Sequence, residues 1–550
     1  KSCFVAQGSS CVSFFAMLAA FRRLHVGPAV DPLLSAVRAR FASPWEFAKT
    51  LGIILVGSKL MKWASLVLWR IRMDMIYPGP PASWVSGNLL DLQRAGGFCL
   101  AFFEENHKKY GSTFRFWTGP FELQIATTNP TAIDFIHRNM HCRPGITKKI
   151  LNYLGDENLL FQQGARAKEL RLRYGKILNS SQVQKQVHHD SWNMLAECSA
   201  KWGTEGPVDF FEEMRTCVYN VTGKVFFGEE FLTTDLGKRI RDSHLYCIEN
   251  CMQWGMLPAE PVGVPEFEKY KEAKTEFFNS VAEALEIKKR ELEANPDSDR
   301  DAFRLLLTDT KEDGTPFFSD ALRVATMQGF LNGAFDTTHC SISWVVYYLA
   351  KYPKVQQRLR DELYGKYGTK LQGDAADCPL SPADLNAAHF PLLEAVIRET
   401  LRTVVTVPVC PREHEKGTLQ VPGLGKDGAA APVAAGVSCN AVYALSMHDE
   451  AYAGSNPTEF NVDRWLRGHG HHKTLAPPED PLNKHFFAFG GHARMCVGMN
   501  FAYVEMRSLI VYLVATFSWT LQDPDEQVGL LYEAGVQQPK THFKIDFRPL

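Results

Sequence analysis

The stretch FFAFGGHARMCVGMNFAYVEM, residues 486–506, decides how the rest of the chain is read. Cys496 stands in a glycine-rich loop, with Arg494 two residues before it and Gly498 two after. Phe489, Gly490 and Gly491 open that loop. A thiolate is a soft ligand for iron. Held in that role it needs backbone N–H donors around it, which glycines expose by adopting positive φ. An inert buried cysteine would account for any one of these residues, but not for all of them in one loop. His492 fits less well, because a bulky side chain there must accept the local backbone shape or distort it.

Three stretches upstream carry further chemistry. In NPTEFNVDRWL, residues 456–466, Arg464 lies between apolar Phe460 and Trp465. In PLLEAVIRETLRTVVTVP, residues 391–408, Glu399 and Arg402 are one helical turn apart and can pair. Such pairs are common and usually solvated. Arg464 brought back to them would share the carboxylate, which needs a bidentate donor that lysine lacks. In GFLNGAFDTTHCSISW, residues 329–344, Gly333 and Ala334 leave room for close approach to the backbone. Asp336 and Thr337 follow in otherwise apolar surroundings. One reading is an acid satisfied locally and a threonine bonded back to the preceding turn. The other is a proton relay lining a cavity.

The body around these stretches reads as mainly helical. STFRFWTGPFELQIATTNP, residues 112–130, alternates about a Gly119-Pro120 turn and predicts a hairpin. Asn129-Pro130 opens a helix, Phe267–Leu292 forms a long charged one, and Ser319–Ala350 a longer one stopped at Tyr352-Pro353. Short strands are expected near Leu419–Val421 and Val437–Asn440, with DGAAAPVAAG (427–436) as a flexible turn between them. RGHGHHK, residues 467–473, reads as a solvated loop, since nothing fixes a metal geometry.

Composition is that of a large globular chain: 45% hydrophobic and 22% charged over 550 residues. A net charge of -1 gives no electrostatic ground for nucleic-acid binding. Thirteen scattered cysteines favour a reducing compartment over a disulfide framework. Up to Pro44 the only acid is Asp31, so residues 1–45 read as a targeting leader. Residues 46–76 read as a membrane anchor or interfacial helix. LGIILVGSKLMKWASLVLW (51–69) has spanning length, yet Lys59 and Lys62 sit mid-segment, each costing roughly 2.5–3.5 kcal/mol at the bilayer centre. The prolines of YPGPPASWVSGN (77–88) follow as a stiff hinge.

Taken in order, the Cys loop, GAFDTT, ETLR and FNVDRW resemble the motifs of cytochrome P450, the haem-thiolate monooxygenase family of membrane-tethered eukaryotic type. The likeness runs from about Pro78 to the C-terminus, so residues 77–550 read as the catalytic domain. It implies a mainly α fold with a minor β-sheet region, haem b lying between a long central helix and the Cys-ligand loop. It also implies Cys496 as axial thiolate and metal ligand, Phe489 packed beside it, and Arg494, Arg412 (in VCPREHE) and Arg171 as partners of the haem propionates. Glu399, Arg402 and Arg464 become a structural lock. Gly333 and Ala334 make room for O2, and Asp336 and Thr337 supply protons. The family usually places tryptophan where Ala167 stands and glycine where His492 stands.

The implied reaction inserts one oxygen atom from O2 into a small hydrophobic substrate, a sterol, terpenoid, carotenoid or fatty acid. ITKKILNYLGDENLLFQQ, residues 146–163, falls at the family's variable substrate loop. The sequence holds no Gly-rich dinucleotide motif or flavin module, so electrons from NADPH would come through a separate cytochrome P450 reductase or a ferredoxin-type donor. The endoplasmic reticulum membrane is the expected location, with a plastid membrane as the alternative. Two other functions fit the same residues: a reductase-independent isomerase or dehydratase of hydroperoxides, and a haem-binding carrier or sensor without catalysis.

Overall fold

The computed structural model describes residues 44–95, 100–255, 257, 259–295, 302–371, 379–468, 473–526, 528–533 and 535–550. Residues 1–43 of the expected leader and His469, His471 and His472 lie outside them. The chain divides into two compact units, Lys1–Met75 and Ile76–Leu550. Most of the described part of the first is the helix Pro44–Ile76, which leaves Ile53, Leu60, Met61 and Trp63 exposed. No helix among the described residues is long and apolar enough to cross a membrane.

The second unit is built on the helix Asp320–Lys351. Ser319 caps its start by accepting from the Leu322 N–H, and Pro353 opens the next helix at its end. Nearly every side chain from Leu322 to Ala350 is buried except around Asn332–Thr337. A helix apolar all round belongs inside a core, and this one packs against Phe210–Phe227, Pro265–Ala294, Pro391–Thr403 and Met499–Thr516. The last of these begins three residues after Cys496. The architecture is therefore mainly α, as the sequence implied.

The largest sheet has four strands. The hairpin Thr113–Trp117 and Leu123–Thr127 pairs antiparallel, with Arg115 opposite Ile125. Leu123–Thr127 then runs parallel to Ser438–Val442, which pairs antiparallel with Val409–Arg412. Phe114 and Phe116 pack edge-on against Phe102, centroids 5.3–6.4 Å apart, which anchors the hairpin to the helix Leu100–Tyr110. The expected turn DGAAAPVAAG is in part a strand. Ala431–Ala434 pairs with Thr418–Val421. Pro432 is tolerated because the ladder has only two strands and so leaves edge positions with no N–H to satisfy.

One core group stands apart. Glu505, on the helix Met499–Thr516, is fully buried, and neither carboxyl oxygen has a hydrogen-bond partner among the described residues. Thr338 of the long helix is the polar side chain facing it, and burial pushes the Glu505 carboxyl up to about 8. The folded state thus holds a proton that the unfolded chain, with its ordinary value of 4.5, releases. Stability from this group is full below about 4.5 and falls as pH rises towards about 8. Glu505→Gln should therefore flatten the decline of Tm across that window and raise Tm at its alkaline end, read by thermal melts at several pH values. An unchanged slope would rule out Glu505 as its source.

Candidate functional site

The loop before Cys496 is shaped by three backbone hydrogen bonds: Gly490 N–H to Phe487 O (2.8 Å), Met495 N–H to His492 O (3.1 Å) and Cys496 N–H to Phe489 O (2.8 Å). Gly490 takes φ 72° and His492 φ 51°, both in the left-handed region. His492 therefore accepts the glycine-like conformation rather than displacing it. Its Nε2 lies 2.8 Å from Asp134 Oδ1 on the helix Pro130–Asn139. Gly491 beside it has no room for a side chain, since a Cβ would stand 2.5 Å from His137 Nδ1.

The Cys496 thiol is surrounded by protein, which pushes its pKa up, yet it is accessible to solvent and so borders open space. The Gly498 N–H donates to its sulfur, and the guanidinium groups of Arg171 and Arg143 act the same way, favouring the thiolate. Phe489 is half-buried against Tyr503, centroids 5.2 Å apart.

Four arginines gather here. Arg494 donates to His141 O (2.9 Å) and Gln162 O (2.7 Å), and Arg171 donates to Met495 O. Arg412 is fixed by the strand Val409–Arg412 and donates to Pro411 O (3.0 Å). Arg143 joins them, a residue the motif reading did not single out because HCRPG (141–145) lies outside the four motifs. Burial, then the neighbouring Arg412, pulls both Arg494 and Arg143 down to about 10. Among the described residues none of the four has a carboxylate partner, and the Nε atoms of Arg412 and Arg143 are buried without an acceptor. Such crowding of like charge is stable when an anion sits among the guanidinium groups. The two propionates of haem are that kind of anion, and the thiol with its N–H donor is that kind of ligand. The residues fit the group.

The structure brings Glu399, Arg402 and Arg464 together. Glu399 receives Arg402 bidentately, Nε and the second guanidinium nitrogen each at 2.8 Å. Arg464 Nε adds a third contact at 3.3 Å. Trp465 Nε1 (2.9 Å) and the Asn461 N–H (2.8 Å) complete the set. Arg402 reaches on to Met447 O, Pro457 O and Glu459 O, and Arg464 to Ala453 O and Ser455 O. Trp465 was quoted in its motif, but its indole bond to Glu399 was not visible there.

On the long helix, Gly333 is exposed and a Cβ there would meet nothing within 4 Å; Ala334 is half-buried. Thr337 donates to Gly333 O (2.8 Å), the back-bond to the preceding turn. Asp336 turns elsewhere. It lies 3.9 Å from His339 Nδ1 and borders a cavity of about 240 Å³ shared with Arg215 and Glu249. Successive helical residues are about 100° apart, so the acid and the alcohol face different neighbours. Ala167 is buried in the core, where the usual indole is absent.

His492 gives a two-part test. His492→Gly keeps the left-handed backbone but loses the contact with Asp134, whereas His492→Ala loses the contact and keeps the strain. The glycine variant should be the more stable by about 1 kcal/mol. Both should shift the ferric spectrum and the reduction potential, because the contact ties the Cys loop to a neighbouring helix. Equal stability of the two, with unaltered spectra, would show that position 492 is neutral.

Comparison with known proteins agrees with this geometry. A family model described as Cytochrome P450 matches residues 77–547. Human Cytochrome P450 4Z1 is 23% identical over 472 residues, 82% of this chain and 86% of the relative. Cytochrome P450 4A24 of Sus scrofa is 24% identical over 506 residues, 86% and 91% of the two chains. The human protein "Sterol 26-hydroxylase, mitochondrial" is 30% identical over a shorter 202 residues, 36% and 33%. A solved structure, retinoic acid bound cyanobacterial CYP120A1, shares the fold with TM-score 0.69 at 18% identity, covering 86% of this chain and all of that one. The accessible thiol, the uncompensated arginines and this match over most of the length lead to one conclusion: the chain belongs to the cytochrome P450 family, haem b-binding monooxygenases that incorporate oxygen from O2.

Proposed function

We propose that Cys496 is the axial ligand of the haem iron and that the chain hydroxylates a small hydrophobic molecule, a sterol, terpenoid, carotenoid or fatty acid, with electrons from NADPH passed on by a separate reductase or a ferredoxin-type donor. One observation carries this reading: the Cys496 thiol borders open space near four arginines that have no carboxylate partner among the described residues. Haem supplies the redox chemistry that activates O2. The chain supplies the rest. Gly498 N–H and the guanidinium groups of Arg171 and Arg143 favour the thiolate, against the burial that opposes it. Arg171, Arg412, Arg494 and Arg143 would hold the propionates, and Gly333 and Ala334 would leave room for O2. Thr337 would offer its hydroxyl proton there. Asp336, which borders a cavity with Arg215 and Glu249, would be the acid that passes protons towards Thr337. The lock of Glu399, Arg402 and Arg464 keeps the Cys segment in place.

The first 45 residues read as a leader, 46–76 as an interfacial helix, and 77–550 as the catalytic domain. The exposed apolar run Ile53, Leu60, Met61 and Trp63, interrupted by Lys59 and Lys62, supports a helix lying at a membrane surface with its lysines snorkelling. The endoplasmic reticulum membrane is the location proposed, with a plastid membrane as the alternative.

The spectrum of the reduced, CO-bound protein tests the ligand assignment. The wild type should show the red-shifted band of thiolate ligation and Cys496→Ser should lose it; retention in the serine variant would refute the assignment. Thr337→Ala should lower product formed per NADPH consumed by at least about tenfold, with CO binding unchanged. Product formation from a hydroperoxide with neither NADPH nor reductase would favour an isomerase or dehydratase instead.

A further inference from the structure

A chain of buried polar groups converges on one side chain next to the open wall. Tyr153, in the segment expected to be the variable substrate loop, donates to Asn332 Oδ1 (2.5 Å). His244, on the helix Asp235–Gly255, places Nε2 at 3.3 Å from the same oxygen. His244 is fully buried, stacks on Phe277, and has its pKa lowered to about 3 by burial, so its ring is neutral. Its Nδ1 faces the Tyr219 hydroxyl at 3.2 Å. A neutral ring has one donor and one acceptor nitrogen. With Tyr219 donating to Nδ1, the Nε2–H donates to Asn332. Two donors therefore share the amide oxygen of Asn332.

The amide nitrogen of Asn332 is left over. It makes no hydrogen bond to the protein among the described residues, yet it is not enclosed, and the residue is only half-buried. Gly333, about 100° further round the helix, is exposed with nothing within 4 Å of where its Cβ would be, so open space borders this turn of the helix. A wholly apolar substrate seated there would cover two N–H donors and satisfy neither, which opposes binding.

We propose that Asn332 is a specificity-determining residue whose amide N–H donates to an oxygen of the substrate, so that the preferred substrate is an oxygenated lipid bearing a carbonyl or similar acceptor rather than a plain hydrocarbon. This rests on the haem-thiolate reading above, which makes the space beside Gly333 the substrate cavity. It selects among hydrophobic molecules and gives them a fixed end. Tyr153 and His244 act as positioning residues, since they hold the amide oxygen and leave the nitrogen pointing away.

The test uses the haem-loaded full chain and ligand-induced changes in the ferric spectrum. The probes are matched pairs: dodecane with 2-dodecanone, and cholestane with 3-cholestanone. Wild type should bind at least one ketone about tenfold more tightly than its hydrocarbon. Asn332→Leu should abolish that preference by weakening the ketone and not the hydrocarbon. Asn332→Asp, which keeps the shape and replaces the donor with an acceptor, should do the same; Tyr153→Phe should reduce the preference in part. A wild type that answers the ketones no better than the hydrocarbons overturns the proposal, as does a preference that survives in both Asn332 variants. The CO spectrum of each variant separates the two readings. Loss of the thiolate band in wild type would sink the ligand assignment, whereas an intact band without ketone preference sinks the role of Asn332 alone.

Discussion

The Glu399 carboxylate is the fixed point of this structure. It lies at zero solvent exposure, where an unpaired charge would be prohibitive. Five donors compensate it: two from Arg402, one each from Arg464 and Trp465, and the Asn461 N–H. Arg402 and Arg464 are themselves satisfied by backbone carbonyls between residues 447 and 459. One helix side chain thereby organises a long stretch that has little regular structure. Removing one member of such a cluster strands the others, a loss of ~3–5 kcal/mol in comparable buried pairs.

The Cys loop depends on that stretch for its entry and on other contacts for its shape. A second buried carboxylate, Glu394, sits on the same helix and receives Arg398 (2.9 Å) and Arg507 (2.6 Å). Arg507 belongs to the helix that leaves Cys496, so the two acids, five residues apart on one helix, brace both sides of the loop. His492 and Arg494 join the loop to the region 134–162 through Asp134, His141 and Gln162. The sulfur is thus placed by buried charge on one side and by backbone geometry on the other.

Charge is balanced within the lock and unbalanced beside the sulfur. Four arginines with no carboxylate partner among the described residues would be a defect in a purely structural region, and burial, with repulsion from Arg412 second, lowers Arg494 and Arg143. The imbalance makes sense for a site that receives an anionic group from outside the chain. Glu505 is a different case, one acid kept neutral by burial, and it shows that not every strained polar group near the site belongs to ligand binding.

Much of this was legible in the sequence because it is local. Helix length, the hairpin about Gly119-Pro120, the Asn129 cap and the Glu399–Arg402 spacing follow from short-range periodicity and capping chemistry. The ordered motifs carried the family and its cofactor. Other features depend on residues far apart in the chain. Ala431–Ala434 is a strand because a partner lies across a ladder, which an alanine-rich run does not announce. Arg143 joins Arg412 only through the tertiary fold, and Trp465 reaches Glu399 across 66 positions. Asp336 and Thr337 are adjacent in sequence yet meet different surroundings, because a helix turns about 100° between them. The sequence by itself determined which groups had to be satisfied once buried. The tertiary structure alone decided which distant residues satisfy them, since burial and hydrogen bonding are set by neighbours in space.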